Sequence, residues 1–479
     1  MNIFDTKIFL TTTLPYVNSN PHIGHAFEFI LADAISRYLK DKSKVHFNIG
    51  LDEHGLKVWT KSQELCITPE QHIKNLTEIW LDFCQKFQIK YDSFYKTSNK
   101  EHHDKVKILW NRFLERGDIY KKSYTGKYCL GCESFKSDKE LIDGKCQDHP
   151  NTQIQTIEEE NYFFRLTKYK EVLLNWLDNT PDFLQPSNKI EELRNIIISC
   201  EDISISRLKE NCPWGVSVPN DPNQTIYVWF DALLNYIFAA GYLTNDFNWN
   251  HVIQLCGPDN LRFQGLIFQA FLQSEGIKKT DKLIVHGTIL DKSGRKISKT
   301  LGNTIDPIEQ LQKWGLDAVR YYSLIGLSTY SNSKWCEEDL VNTYNSDICE
   351  GWGNLIARTL HLIDIKSVNI TKPSDDFKSL ITEHSNIIDS LWTSFKVKDA
   401  LQKTFELVKI GNKYINDETP WSNPNYTQVL SNLYYLVKTI NKFYEPIFPD
   451  KFLVVEQAIQ NKKKSIIFHK LVNPFTNAH

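Results

Sequence analysis

The sequence holds one methionine, Met1, in 479 residues, and it lacks any apolar run long enough to cross a bilayer. The second absence excludes a helical membrane span. An excess of either charge sign is also missing: Lys and Arg number 56, Asp and Glu 58, and the formal net charge is -2. That balance excludes nucleic-acid binding by a bulk positive field, so any such surface has to be a local patch. Internal repeats and low-complexity tracts are absent, which excludes solenoid and linker-like organisation. No secretory or Arg-rich transit segment precedes the first apolar strand, so a cytoplasmic location is expected. The shortage of methionine accompanies abundant Ile, Lys and Asn, as an A/T-rich coding sequence would give, and has no physical explanation in the fold. What remains is ordinary for a globular protein, 41% hydrophobic and 24% charged. The length predicts two to four domains with ample core-forming capacity.

Of ten cysteines, seven (Cys66, Cys84, Cys200, Cys212, Cys256, Cys336 and Cys349) are dispersed, as reduced thiols of a cytosolic protein are. The other three cluster as Cys129, Cys132 and Cys146, with His149 close behind. Two knuckle spacings, with Gly131 and Gly144 at the turns, bring three thiolates and one imidazole together. That set suits a closed, structural, tetrahedral Zn²⁺ site, with no open position for catalysis.

Residues 7–13 (KIFLTTT) are β-branched and apolar and predict a buried strand. Residues 14–22 are turn-rich. From Ile23, the positions Ala26, Phe27, Ile30, Leu31, Ala34, Ile35, Tyr38 and Leu39 recur at helical spacing. Gly24 and His25 in Pro21-His22-Ile23-Gly24-His25 therefore fall in the first turn of a helix that follows a strand. Free backbone N–H groups and the positive end of the helix dipole favour phosphate there. Gly24 leaves room for a flat ligand to approach. His22 and His25 can donate hydrogen bonds to phosphate oxygens as charge builds. Taken alone, the segment also fits a strand–turn–helix with two surface histidines.

A second segment, Gly294-Arg295-Lys296-Ile297-Ser298-Lys299-Thr300, lies on a polar loop ahead of Gly302. Two lysines there can neutralise the β- and γ-phosphates of ATP and the departing pyrophosphate. Taken alone, it also fits a solvated basic loop.

The pattern along the chain predicts an α/β fold: a doubly wound parallel (Rossmann-like) catalytic domain with an inserted zinc-knuckle connective domain and a C-terminal α-helical bundle. Residues 1–113 alternate strand and helix patterns. Residues 114–225 break that rhythm and hold the cysteine cluster. Alternation resumes over 226–290, with a strand at 225–230 (TIYVWF), a helix from Asp231, strands at 251–256 and 282–285, and a helix near 261–274. Residues 291–345 form a connecting segment with the lysine loop, and 346–479 show only helical patterns.

In this order the two segments resemble the HIGH and KMSKS signatures of class I aminoacyl-tRNA synthetases. Over nearly the full length, the chain resembles the methionyl-tRNA synthetase family. The resemblance extends to residues 50–55 (GLDEHG), 159–164 (EENYFF), 202–207 (DISISR), 227–232 (YVWFDA) and 301–307 (LGNTIDP), and the single cysteine knuckle resembles the one-zinc bacterial branch. The resemblance implies activation of L-methionine by ATP, as its Mg²⁺ complex, to methionyl-adenylate, followed by transfer to the 3'-terminal ribose of tRNA(Met). His22, His25, Lys296 and Lys299 would then be catalytic. Gly24, Gly257, Asp259 and Ser298 would join them around ATP, with Asp259 accepting from a ribose hydroxyl. Leu14, Tyr16, Asp52, Trp229, Ala232, Tyr236, Asn260 and Gln264 would hold methionine, Asp52 on the α-ammonium and the aromatic rings around the thioether. Asn354, Arg358 and Trp421 would read the anticodon by base-edge hydrogen bonds and stacking. Cys129, Cys132, Cys146 and His149 would hold zinc. The chain ends soon after the helical bundle, without the C-terminal module that dimerises some members, so a monomer is expected.

Some positions depart from the family pattern. Pro258 replaces a lysine, Asn260 an apolar residue and Gln264 a histidine, and Leu233 stands where proline is common in some members; Ile297 and Thr300 are conservative changes. Two alternatives stay open. One is a paralogue that activates another amino acid or uses a non-tRNA acceptor; the other is a non-catalytic tRNA-binding protein.

Overall fold

The computed structural model describes residues 7–18, 20–130, 134–136, 141–146, 151–297, 302–463 and 465–475. At the centre is a six-stranded sheet of β1 (Ile8–Thr11), β2 (Val45–Leu51), β3 (Ser93–Lys96), β4 (Leu184–Gln185), β5 (His251–Cys256) and β6 (Lys282–Val285). All of its pairings are parallel, in the order β3-β2-β1-β5-β6-β4. β1 lies in the middle, with Ile8 opposite Val45 on one side and His251 on the other. Its four residues, IFLT, are all buried, as a strand covered on both faces requires. Ile8 and Leu10 enter one apolar core and Phe9 the other, so the sheet divides the interior into two.

The strand order reverses between β1 and β5. In an open parallel sheet the crevice beyond the carboxyl ends of the strands at such a point takes the ligand. The chain leaves β1 toward residues 12–25 and β5 toward residues 257–264, so both segments border the crevice.

One sequence expectation needs correction. The aromatic run at 225–230 does not form one strand: a strand ends at Ile226, and a helix, Val228–Ala239, begins two residues later. Burial of Val228, Phe230 and Ala232 outweighs the β-propensity of the run, and propensity is a weak prior against tertiary packing. The stretch 114–225 also gives the central sheet its edge strand, β4, beside β6. A strand of two residues is too short to show a period. The rest of that stretch is built on a long antiparallel hairpin, Ile119–Cys129 against Ile154–Phe164.

The C-terminal part is helical: Asn354–Ile365, Asp375–Thr393, Val397–Asp417, Tyr426–Tyr444 and Pro449–Asn461. Its apolar faces (Leu355, Leu407, Leu436) join the same core as Ile30 and Phe47 of the catalytic part. Among the described residues no helix is long and apolar enough to cross a membrane.

Candidate active site

Helix α1 (Ile23–Lys40) begins at the first signature. His22 is its extended N-cap. Nδ1 of His22 accepts the N–H of Gly24 at 3.1 Å, and Nδ1 of His25 accepts the N–H of His22 at 3.2 Å. This is a reciprocal capping box made of two imidazoles. The rings stack with centroids 3.7 Å apart, and His25 meets Trp80 edge-on at 5.0 Å. With each Nδ1 accepting, the neutral ring carries its proton on Nε2, the form that donates to a phosphate oxygen. A Cβ on Gly24 would lie 2.9 Å from Cε1 of His22, so the glycine leaves room for that imidazole.

At the switch point lies a narrow cleft with a cavity volume of about 10 Å³. Leu14, Asp52, Trp229, Ala232, Tyr236, Asn260 and Gln264 line it, together with Thr13, Leu233 and Phe263. Of the residues expected around methionine, Tyr16 alone is not in the lining; it packs at the cluster formed by Ala232, Tyr227 and Val228, with Trp229. The backbone of Asp52 accepts from Val17 N–H at 2.9 Å and donates to Pro15 O at 3.0 Å, which lays the segment after β1 along the end of β2. Gly50 makes this approach possible: a Cβ there would stand 2.4 Å from Tyr95 O and 2.7 Å from Cδ2 of Leu14.

Trp229 and Phe263 stack at 3.7 Å with an interplanar angle of 15°. Deeper in, Nε2 of Gln264 donates to the Tyr236 hydroxyl at 2.8 Å. Burial pushes the Tyr236 hydroxyl well above its ordinary range, so it stays protonated. Phe263 and Gln264 sit in a π-helical turn, Phe263–Ile267, whose wider pitch re-aims side chains ahead of the helix Phe268–Glu275. Sequence reasoning missed Phe263; the available signal was an aromatic residue next to an assigned pocket position. It also missed the buried pair of His54 Nδ1 and Asp231 Oδ2, 2.5 Å apart, which ties the segment after β2 to the helix bearing Trp229, Ala232 and Tyr236. Burial raises the Asp231 carboxyl, and the charge and hydrogen bond of His54 oppose that rise.

Past β5, Pro258–Asn260 form a short 3₁₀ turn in which Asn260 N–H returns to Gly257 O at 3.0 Å. Asp259 on this turn forms an ion pair with Lys296 of the second signature. The lysine loop is braced from below. Leu290 and Lys296 form an antiparallel bridge, and Gly294 turns between them with φ 81°. Nδ2 of Asn303 donates to Lys296 O at 3.1 Å and to Asp291 Oδ2 at 2.8 Å. The Asn303 amide and the backbone N–H and guanidinium of Arg295 pull the Asp291 carboxyl down to about 2. Ser298, Lys299 and Thr300 lie outside the described residues.

Asn354 and Arg358 share the helix Asn354–Ile365, and neither lines the cleft. Arg358 Nη2 donates to Asn416 Oδ1 at 2.6 Å. Trp421 is 52% exposed, and its carbonyl accepts from Lys366 Nζ at 3.3 Å. In the zinc pattern, Cys129 closes the strand Ile119–Cys129 and Cys146 closes Lys145–Cys146; both are buried and neither is in a disulfide. Cys132 and His149 lie outside the described residues. Among the described residues no three His, Cys, Asp or Glu are grouped to hold a metal.

The family described as tRNA synthetases class I (M) matches residues 8–156 and 139–360. The methionine–tRNA ligase of Thermosynechococcus vestitus is 36% identical over 431 residues, covering 86% of this chain and 81% of its own. That of Thermotoga maritima is 36% identical over 467 residues, covering 93% and 74%. The Mycobacterium tuberculosis methionyl-tRNA synthetase in complex with methionyl-adenylate superposes with a TM-score of 0.88 at 28% identity, covering 98% of this chain and 97% of that one. With its crevice at the strand-order reversal and both signatures bordering it, the chain belongs to the methionine–tRNA ligase family of the class I tRNA synthetases.

Proposed function

We propose that this chain is a methionine–tRNA ligase whose cleft binds methionine and whose two signatures bind ATP. The methionine carboxylate attacks the α-phosphate of Mg²⁺-bound ATP in line, and the bond to pyrophosphate breaks. A ribose hydroxyl at the 3' end of tRNA(Met) then attacks the acyl carbon of methionyl-adenylate, and AMP leaves. No protein nucleophile takes part, so positioning and charge stabilisation carry the rate. The observation that carries this reading is the Asp259–Lys296 ion pair beside the cleft, which brings the second signature to the turn bearing Asn260.

In this reading the buried Asp52 carboxylate takes the α-ammonium, and Trp229, Phe263 and Tyr236 enclose the thioether. His22 and His25 donate from Nε2 to phosphate oxygens, while Lys296 and Lys299 meet the β- and γ-phosphates. Opening the Asp259–Lys296 pair would release both groups, the carboxylate for a ribose hydroxyl and the ammonium for phosphate. Asn354, Arg358 and Trp421 form the anticodon contact. Cys129, Cys132, Cys146 and His149 hold a zinc ion that stabilises the local fold and takes no part in the reaction. The burial of Cys129 and Cys146, each the last residue of a strand, supports that donor set. The enzyme works as a cytoplasmic monomer.

The test is ATP–pyrophosphate exchange with each of the twenty amino acids. Exchange with methionine alone is expected. Exchange with a different amino acid would keep the chemistry and overturn the substrate, with Asn260 and Gln264 the first residues to exchange. Size-exclusion chromatography and metal analysis test the monomer and the zinc.

A further inference from the structure

One buried ion pair joins the first-signature helix, the loop after β1 and the ends of β5 and β6. Glu28 lies on α1, one turn beyond His25. Its Oε1 accepts the N–H of Thr13 at 2.6 Å, in the loop that leads from β1 to Leu14. Its Oε2 lies 2.9 Å from Nε2 of His286, and both side chains are buried. His286 directly follows β6, and its N–H bonds Cys256 O at 2.9 Å, at the end of β5. Its Nδ1 is 2.8 Å from Gly287 O. Three residues on, Ile289–Leu290 enters the bridge to Lys296.

With Glu28 ionised, a backbone carbonyl and a carboxylate only accept, so both ring nitrogens carry protons and His286 is an imidazolium. The backbone after it cannot shift easily, since a Cβ on Gly287 would stand 2.0 Å from Ser331 O. Phe27 closes the side of the ring edge-on at 5.3 Å.

We propose that His286, held as an imidazolium by Glu28, is a positioning residue for amino-acid activation: it sets the separation between the histidines of the first signature and the root of the second-signature loop. This rests on reading the two signatures as the ATP site.

The groups that face His286 are Glu28 from α1, Asp259 from the turn after β5, and Cys256 from β5; Lys296 reaches the same region through Asp259. Burial pushes the Cys256 thiol well up, so it stays neutral. Burial also disfavours the charged imidazole, but the hydrogen bond and charge of Glu28, the Gly287 carbonyl and the charge of Asp259 more than offset this and hold its pKa above 6.5. A raised pKa means that the charged form is complete at low pH and is lost as pH rises through the raised value.

The experiment is the pH profile of kcat for ATP–pyrophosphate exchange by the full chain with methionine, for the wild type, Glu28→Gln and His286→Gln. The wild type should lose kcat on an alkaline limb. In Glu28→Gln, the Gly287 carbonyl and Asp259 alone oppose burial of the ring, so that limb should move down by about one pH unit. At a fixed pH on the limb this gives roughly a tenfold lower kcat, with KM for ATP and methionine nearly unchanged. His286→Gln should be slow at every pH. Should either variant fail to fold, ¹⁵N-histidine NMR of the wild type decides, with two protonated ring nitrogens expected for His286 at neutral pH. A neutral His286, or superimposable profiles for wild type and Glu28→Gln, overturns the proposal. No exchange by the wild type overturns the reading of the signatures, and this inference with it.

Discussion

The guanidinium of Arg320 and the carboxylate of Asp33 meet at 2.6 Å with both side chains fully buried. Asp33 lies on α1, two turns beyond the first signature, and Arg320 on the helix Leu316–Ile325, which follows the second. The same guanidinium donates to Phe87 O, Pro446 O and Ile447 O, each at 2.9 Å. One cation thus fastens the signature helix, the end of the helix Pro69–Lys86, the connecting segment and the end of the helix Tyr426–Tyr444. Asp33 is saturated in turn by Nε of Arg37 and the N–H of Lys90, both at 2.8 Å.

Arg320→Ala should therefore destabilise the protein by about 3 kcal/mol, because it leaves a buried carboxylate short of its main partner. The value sits at the low end of the range for such losses, since Arg37 remains on Asp33. Urea unfolding of wild type and variant measures it. A change below about 1 kcal/mol would mean that the cluster relaxes and that the pair does not fasten the two parts.

The Arg320–Asp33 pair also shows where sequence reading stops. Its partners lie far apart in the chain and leave no local pattern. The signature helix, by contrast, announces itself through a turn-rich approach and eight apolar positions at helical spacing, and β5 and β6 through short apolar runs. The strand expected at 225–230 failed because its aromatic residues are buried in a helix, where packing overrides propensity. The expected pocket residues other than Tyr16 fall in one cleft, whereas Phe263, Glu28 and His286 escaped notice. Each of these acts through a partner brought in by the parallel sheet, and spacing alone does not encode that partner.

Lys296→Ala should leave stability within about 0.5 kcal/mol of wild type, since the pair with Asp259 is surface-exposed. Its exchange rate should nevertheless fall about a hundredfold, as loss of one preorganised charge at a reacting phosphate does. Lys299→Ala should behave alike, slowing adenylate formation far more than it weakens methionine binding. Thermal melts paired with exchange kinetics separate the two effects. A wild-type rate in either variant would remove that lysine from the ATP site.

Tyr236→Phe removes the acceptor of the Gln264 amide at the bottom of the cleft. Oε1 of Gln264 has no hydrogen-bond partner among the described residues, so the variant leaves the whole buried amide unsatisfied. The expected loss is about 1–2 kcal/mol of stability together with a higher KM for methionine. A KM unchanged beside a lowered stability would make Tyr236 a packing residue alone.

Trp421→Ala tests the division of labour between the two parts of the chain. Trp421 is exposed, in the turn that follows the helix Val397–Asp417, and it does not line the cleft. Its indole is half exposed, so the cost in stability should stay below about 1 kcal/mol and ATP–pyrophosphate exchange should stay at the wild-type value. An indole that stacks on an unpaired base contributes about 1–3 kcal/mol to binding. Charging of tRNA(Met) should therefore lose roughly ten- to a hundredfold in kcat/KM. Because the lost contact is made before the acyl transfer begins, most of that loss should appear in KM for tRNA. Equal losses in exchange and charging would place the effect in the fold rather than at the anticodon, and would move Asn354 and Arg358 out of the tRNA contact along with it.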